Sequence, residues 1–314
     1  MKLKDIGEFG LIARIYKKAK DKNVLVGIGD DTAVIKVGKK LLLVTTDTLV
    51  EGDHFSFDYF TPKQVGKKAI EINVSDIGAM GGIPKYALVS LVLPKDLDVE
   101  VIDEIYKGMR EVGDSYKLDI IGGNITHGKQ LVIDIDMIGE VKKENLCLRS
   151  DAKPGDFILV TGDLGSSTAG LNIFKNKLKG HEYVKNKHLE PKAKLQKVKP
   201  FLKYINAMID VSDGLASEVR HICEQSNVGA IIYNDNIPIK DETRHAAKAV
   251  RKDPIDYALY GGEDFELVFT VNEKNLKKVK GFLVGEITKR KGVYIYSKGK
   301  EKLISKHGYD HFRI

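Results

Sequence analysis

Five short stretches of this 314-residue chain set oxygen-bearing side chains directly after apolar residues. They are Gly29-Asp30-Asp31-Thr32, Thr45-Thr46-Asp47-Thr48, Asn73-Val74-Ser75-Asp76, Gly122-Gly123-Asn124 and Asp210-Val211-Ser212-Asp213-Gly214. Neighbouring carboxylates such as Asp30 and Asp31 repel each other, so the doublet implies either a solvated turn or a cation beside it. Carboxylate, hydroxyl and amide oxygens with no His or Cys cluster nearby form the donor set of a hard ion, and Mg²⁺ shared with substrate phosphates suits it. One such cluster is an ordinary turn. Five, each expected in a loop where an element ends, point to a single acidic pocket.

Two glycine-rich stretches add groups that suit an anion. GGNITHG and TGDLGSSTAGL let backbone N–H groups approach a phosphate, the second at a helix starting near Ser166. Neither matches GxxxxGK[ST] or GxGxxG, and a plain strand-to-helix connection is the simpler reading of TGDLGSSTAGL.

These residues need a scaffold. Apolar runs bounded by turn residues predict strands at KLLLVTTD, PKYALVSLVLP, KLDIIGG, QLVIDIDMIGEV and DFILVTGD. Helical spacing predicts helices over 8–20, 63–80, 98–117 and 166–178. In QLVIDIDMIGEV, Val132, Asp134 and Asp136 share one face and Ile133, Ile135 and Met137 the other. Asp134 and Asp136 therefore read as surface groups on a wet face rather than as ligands. Charge, Pro and Gly coincide in RSDAKPGD, which divides the chain into domains of residues 1–149 and 150–314. The Lys-rich residues 179–204, with Pro191 and Pro200, read as an exposed excursion.

Composition excludes several classes. A hydrophobic fraction of 42% with 30% charged residues belongs to a soluble globular chain, and no apolar run approaches a membrane span. MKLKDIGEFG lacks the apolar core of a signal peptide. Cys147 and Cys223 stand in unrelated contexts, which suits a reducing cytoplasm. The net charge of +7 comes from scattered lysines without an aromatic RNA-binding pattern, so no nucleic-acid partner is expected. Met80 and Met109 fall on apolar helix faces and read as core.

Seven segments, GIGDDTAVI, TTDTLVEGDHF, NVSDIGAMGGIP, RSDAKPGD, DVSDGL, YGGEDFEL and GYDHF, together resemble the thiamine-monophosphate kinase family in order and spacing over nearly the whole chain. The wider superfamily includes aminoimidazole ribonucleotide synthetase, selenophosphate synthetase and the hydrogenase-maturation dehydratase. The resemblance implies an α/β (α+β) two-domain fold. An N-terminal mixed sheet with helices would pair across a homodimer, and a C-terminal α/β sandwich with a mixed sheet would complete the site. It implies that Asp31, Thr45, Thr46, Asp47, Asp76, Asn124, Asp210 and Asp213 hold several Mg²⁺ ions, with Asp47, Asp76 and Asp210 central to catalysis and Asp30 alongside. Gly123, Asn124, Arg149, Ser212 and Tyr106 would contact ATP, and His54, Glu263 and Tyr309 would line the site for thiamine monophosphate. Tyr309 could offer an aromatic face to the cationic thiazolium. In YGGEDFEL the choice of Glu263 over Asp264 and Glu266 rests on the resemblance.

Two positions depart from the family pattern: Asn124 stands where Asp is usual, and His127 where Arg is usual. An amide carbonyl still reaches Mg²⁺ but without charge, so weaker metal binding is expected there. The implied reaction is direct, Mg-assisted transfer of the ATP γ-phosphoryl group to the substrate phosphate. Alternatives are another ATP-using member of the superfamily, or a catalytically impaired nucleotide or thiamine-phosphate binding protein.

Overall fold

In the computed structural model of the protein, residues 2–306, 308, 309, 311 and 312 are described; Asp310 of the GYDHF segment lies outside them. The first part of the chain runs α1 (Leu3–Ile15), β1 (Val24–Val26), β2 (Ala33–Val37), β3 (Lys40–Val50), α2 (Pro62–Ala79), β4 (Ile83–Leu93), α3 (Val99–Tyr116), β5 (Asp119–His127) and β6 (Val132–Val141). Its strands form one mixed sheet in the order β1-β2-β3-β6-β4-β5, with β4 and β5 parallel. Alternation in β6 decides the faces. Ile133, Ile135 and Met137 are buried against the core that α2 and α3 cover, while Val132, Asp134 and Asp136 lie half-buried on the opposite face.

The second part continues with β7 (Phe157–Val160), α4 (Ser166–Lys175), α5 (Glu182–Leu189), α6 (Leu195–Val198), β8 (Met208–Asp210), α7 (Leu215–Gln225) and β9 (Gly229–Tyr233). It ends with α8 (Asp241–Ala249), α9 (Pro254–Tyr260), β10 (Leu267–Val271), β11 (Phe282–Thr288), β12 (Gly292–Ser297) and β13 (Lys300–Leu303). These strands form a second mixed sheet, β13-β12-β9-β11-β7-β10-β8, in which β9 and β12 are parallel. β10 is apolar without alternation because both its faces are covered: Val268 enters the core beneath α7 and α9, and Leu267, Phe269 and Val271 enter the core beneath α6. That is the α/β sandwich expected of the C-terminal part.

Two expectations change. The first helix spans Leu3–Ile15 rather than 8–20: it is kinked at Gly7 (φ 68°), and the Lys-rich residues after Tyr16 have no apolar face to bury. Residues 179–204 are not an exposed excursion. They form α5 and α6, and His188, Leu189, Leu195, Val198, Phe201 and Leu202 are buried where they join the two sheets. Their lysines are held by acids, with Lys187 and Lys194 within 3.7 and 3.3 Å of the buried Glu266. Asp134 keeps its expected place on the open face of the sheet, where it accepts a hydrogen bond from the exposed Thr48 Oγ1 at 2.5 Å.

Helix α2 lies between the two parts and positions the site. Thr61 caps it, accepting from Gln64 N at 3.3 Å while Gln64 Oε1 accepts from Thr61 N at 3.0 Å, and Pro62 starts the first turn. It touches α3 on one side and β8, α5 and α6 on the other. The α2–α3 approach is set by two glycines: a Cβ on Gly66 would lie 1.9 Å from the Ile105 carbonyl oxygen, and one on Gly108 2.0 Å from that of Lys63. Both obstacles are backbone, so neither can rotate away. Gly108→Ala is expected to cost about 3 kcal/mol, lowering the calorimetric melting temperature by about 5 °C. Gly27→Ala, whose Cβ would meet nothing nearer than 4.0 Å, serves as the unperturbed control.

Candidate active site

Four separate elements deliver carboxylates to one point. Asp31 precedes β2, Asp47 lies within β3, Asp76 in the last turn of α2 and Asp210 at the end of β8. Carboxylate oxygens of Asp31, Asp76 and Asp210 lie within 4.8 Å of one another. Ligands of one octahedral Mg²⁺ lie about 3 Å apart when adjacent and about 4.2 Å apart when opposite, so the trio would draw inward to share an ion. Thr45 Oγ1 donates to Asp76 Oδ2 at 2.5 Å, and Ser75 Oγ donates to Asp210 Oδ2 at 2.6 Å. These bonds fix the carboxylates while leaving other oxygens free. Asp31 Oδ2 is buried with no hydrogen-bond partner among the described residues. A cation is the partner such an atom lacks.

Three of the five polar stretches are therefore not loops at all. TTDT lies inside β3, whose pairing with β6 continues to Val50; NVSD lies inside α2; and GGN lies inside β5. The alternation of β3 separates the paired threonines. Thr45 and Asp47 point to the helix side, whereas Thr46 and Thr48 are exposed on the other face, 3.4 and 2.5 Å from Asp134 Oδ1.

Burial works against charge throughout this cluster. It pushes Asp47 up to about 7, helped by the charges of Asp134 and Asp213, and Asp210 up to about 8, helped by Asp31. Asp76 is raised well above the usual range by burial and then by Asp47, Asp210 and Asp31. Asp31 is raised too, its burial only partly offset by Arg149, whose guanidinium is paired directly with Asp31 Oδ1. Asp30 accepts from the backbone N–H groups of Asp31 at 3.1 Å and Arg149 at 3.2 Å, so it shapes the turn.

A cavity of about 550 Å³ opens from this cluster. Thr46, Asp47, Asp76, Asp210, Ser212 and Asp213 line one part, and His54, Glu263 and Tyr309 line another. His54 Nδ1 accepts from Val50 N at 3.1 Å, its ring lies 5.1 Å from that of His311, and burial lowers its pKa. Tyr309 O–H reaches Asp53 Oδ1 at 3.5 Å. The three acids of YGGEDFEL separate cleanly. Glu263 enters the cavity, while Asp264 accepts from Gly165 N at 2.5 Å and Ser167 N at 3.1 Å, and Glu266 accepts from Thr161 Oγ1 at 2.7 Å. Asp264 thus occupies the N-terminus of α4, and TGDLGSSTAGL is the plain strand-to-helix connection.

Six expected site residues lie outside the cavity lining: Asp31 and Thr45, which join the carboxylate cluster beside it, and Arg149, Tyr106, Gly123 and Asn124. Arg149 sits behind Asp31. Tyr106 is half-buried on α3, with the guanidinium of Arg110 5.5 Å from its ring centre. Gly123 and Asn124 stand on β5, the sheet edge; Asn124 is in register with Ser90, Asp134 and Thr48 across β4, β6 and β3. Three strand spacings put Asn124 about 14 Å from β3 of its own chain. The sequence reading also missed residues. Lys68 and His188 hold Glu263, and the buried Glu218 accepts from Asp213 N at 2.8 Å, shaping the DVSDG turn. Nothing local marks them, because a lysine or glutamate within a helix ordinarily faces solvent.

Comparison with known proteins places this geometry. Residues 29–141 match the AIR synthase related protein N-terminal domain, and residues 153–298 the corresponding C-terminal domain. The thiamine-monophosphate kinase of Aquifex aeolicus is 38% identical over 317 residues, spanning 99% of this chain and 100% of that protein. That of Bacillus subtilis is 38% identical over 98% of this chain and 99% of its own. Among solved structures, AaThiL complexed with AMPPCP and TMP superposes with a TM-score of 0.90 at 37% identity, covering 99% of both chains.

The raised carboxyls make stability depend on pH in a definite direction. From the ordinary aspartate value of 3.8, burial moves Asp47 to about 7 and Asp210 to about 8 in the folded protein. The folded state therefore holds more protons than the unfolded chain between those values, and metal-free stability falls as pH rises from about 4 to about 8. Thermal melts in EDTA should show this decline, and saturating Mg²⁺ should raise the melting temperature by an increment that grows with pH. Asp47→Asn should melt higher than the parent in EDTA near pH 8 and gain less from Mg²⁺. An increment equal at both ends of the pH range would count against the cluster as the metal site.

Proposed function

The chain belongs to the thiamine-monophosphate kinases of the AIR synthase related family, and on that premise we propose how its residues divide the work. The reaction is the ATP-dependent phosphorylation of thiamine monophosphate to thiamine diphosphate, a step of thiamine diphosphate biosynthesis. The observation that carries the division is the convergence of Asp31, Asp76 and Asp210 within 4.8 Å at a cavity whose other part is lined by His54, Glu263 and Tyr309. One part suits cations and polyphosphate, the other an organic ring system.

A phosphate monoester loses its second proton near pH 6, so the substrate phosphate carries nucleophilic oxygens at neutral pH, and no side chain has to act as a general base. The difficulty is bringing two polyanions together in a basin that is itself acidic. Mg²⁺ ions bound there supply the neutralisation that both polyanions and the transferring phosphoryl group require. Asp31, Asp47, Asp76 and Asp210 hold them through carboxylate oxygens, Thr45 positions Asp76, and Asp213 and Ser212 extend the set toward the nucleotide. The side chain of Thr46 points away, leaving its backbone carbonyl as the group it can offer. Arg149 balances the charge of Asp31 from behind.

Gly123 and Asn124 fit this scheme through a second copy of the chain. β5 is an open edge with Ile121 and Ile125 56% and 67% exposed, and Tyr86 and Leu88 continue the uncovered apolar surface. Pairing of two N-terminal sheets would cover it and carry Gly123 and Asn124 to the partner's nucleotide, which their own acid cluster lies too far away to share. Both cysteines are free and buried, in keeping with a place in the cytoplasm.

Mass-spectrometric detection of thiamine diphosphate tests the division of roles. Asp47→Ala is expected to lose more than about 10³-fold in turnover while melting as a folded protein, whereas Asn124→Asp should lower the Mg²⁺ concentration needed for half-maximal rate. Near-parental turnover by Asp47→Ala would refute the metal assignment. Light scattering should give the mass of two chains, with Ile125→Lys shifting it toward one.

A further inference from the structure

Lys68 has no solvent-exposed surface, yet it lies on α2 beside the cavity rather than in a purely apolar core. Its Nζ is 2.5 Å from Glu263 Oε1, donates to the His54 carbonyl oxygen at 3.0 Å and stands 5.4 Å from the centre of the Phe60 ring. The other Glu263 oxygen, Oε2, is 3.4 Å from Nδ1 of His188, itself only 2% exposed and packed among the rings of Tyr59, Phe60 and Phe174. Glu263 and Phe265 both adopt left-handed backbone, at φ 65° and 48°. Such strain in non-glycine residues persists where surrounding contacts over-determine it, and here it aims Glu263 into the cavity. Phosphoryl transfer at the acid cluster uses none of these contacts.

We propose that Lys68 is a positioning residue that holds Glu263 as an acceptor-only carboxylate, through which the cavity selects a substrate heterocycle carrying an amino group. The inference rests on the reading of this cavity as the thiamine-phosphate site. A carboxylate has about four lone-pair positions, and Lys68 and His188 approach one oxygen each, which leaves acceptor capacity on a side chain that lines the cavity. The Lys68–Glu263 pair sums to zero charge, so its long-range pull on the fixed cation of the thiazolium is small. Directional acceptance of an N–H group remains, and the amine of the aminopyrimidine supplies one. Burial alone would drive Glu263 toward protonation, but the Lys68 charge and His188 hold it well below the usual carboxylate range. A carbonyl oxygen in place of the amine would set acceptor against acceptor, with no proton to share.

Steady-state kinetics with thiamine monophosphate and its analogue bearing a ring carbonyl instead of the pyrimidine amine decide the matter. The parent should prefer the amine by about 100-fold or more in kcat/KM. Lys68→Met should raise KM for thiamine monophosphate by about tenfold, leave KM for ATP within about twofold and reduce the preference below about tenfold. Glu263→Gln, whose amide can donate, should reduce the preference likewise. If Glu263→Gln shifts KM and preference but Lys68→Met shifts neither, the positioning role of Lys68 falls while the substrate site stands. If Glu263→Gln leaves both unmoved, the substrate-site reading falls and the proposal with it. Should Lys68→Met not fold, Lys68→Met/Glu263→Gln removes both charges of the pair; a folded double variant that keeps the parental preference overturns the proposal.

Discussion

Carboxylates that share a buried pocket must either take up protons or find cations. At an effective dielectric of about 20, two unit charges about 5 Å apart repel by roughly 3 kcal/mol, and Asp31, Asp76 and Asp210 form three such pairs. Arg149 answers only part of this, through Asp31. The rest of the molecule is arranged around the unmet demand. Two sheets, each with its own core, are held edge to helix so that β3, α2 and β8 end or pass at the same place. Hydroxyls of Thr45 and Ser75 occupy one oxygen each of Asp76 and Asp210 and leave the remainder open. The proposed divalent cations and their phosphate ligands would meet that demand.

Helix α2 is the part on which this depends most. It carries Lys68 about two turns before the adjacent Ser75 and Asp76 and is buried along most of its length between α3 and the C-terminal elements. Fixing one rigid rod between the two sheets fixes the distance from the metal-binding end of the cavity to the Glu263 end. Close backbone contact at Gly66 and Gly108 sets its height. The segment from α5 to α6, with His188 and its lysines paired to Asp163 and Glu266, clamps the other side. Substrate positioning and phosphoryl transfer therefore share one structural reference.

Much of this was legible in the sequence, and the remainder failed for identifiable reasons. Strand alternation in β6 and the periodicity of α3 mark their elements because each buries one continuous face, whereas α2 is buried nearly all round. The acidic stretches announce a hard-cation site because their donor chemistry is local. Their setting was misread: Asp47 looks like a strand end in KLLLVTTD, yet pairing with Asp134-bearing β6 carries β3 on to Val50. Asp76 looks like a loop residue, although α2 continues to Ala79. Lys68 and His188 were invisible, since a lysine in a helical run reads as solvated until a tertiary partner such as Glu263 is known. Only the fold separates Glu263 from Asp264 and Glu266, through three different neighbours.

The central claim is that the converged aspartates bind divalent cations that bridge nucleotide to substrate phosphate. Crystals grown with Mn²⁺, a non-hydrolysable ATP analogue and thiamine monophosphate provide the direct measurement, because Mn²⁺ scatters anomalously while sharing the oxygen-ligand preference of Mg²⁺. Anomalous difference peaks should lie among Asp31, Asp76 and Asp210 and beside Asp47, each within coordination distance of phosphate oxygens. A fully occupied nucleotide with no anomalous peak at these carboxylates would contradict the account.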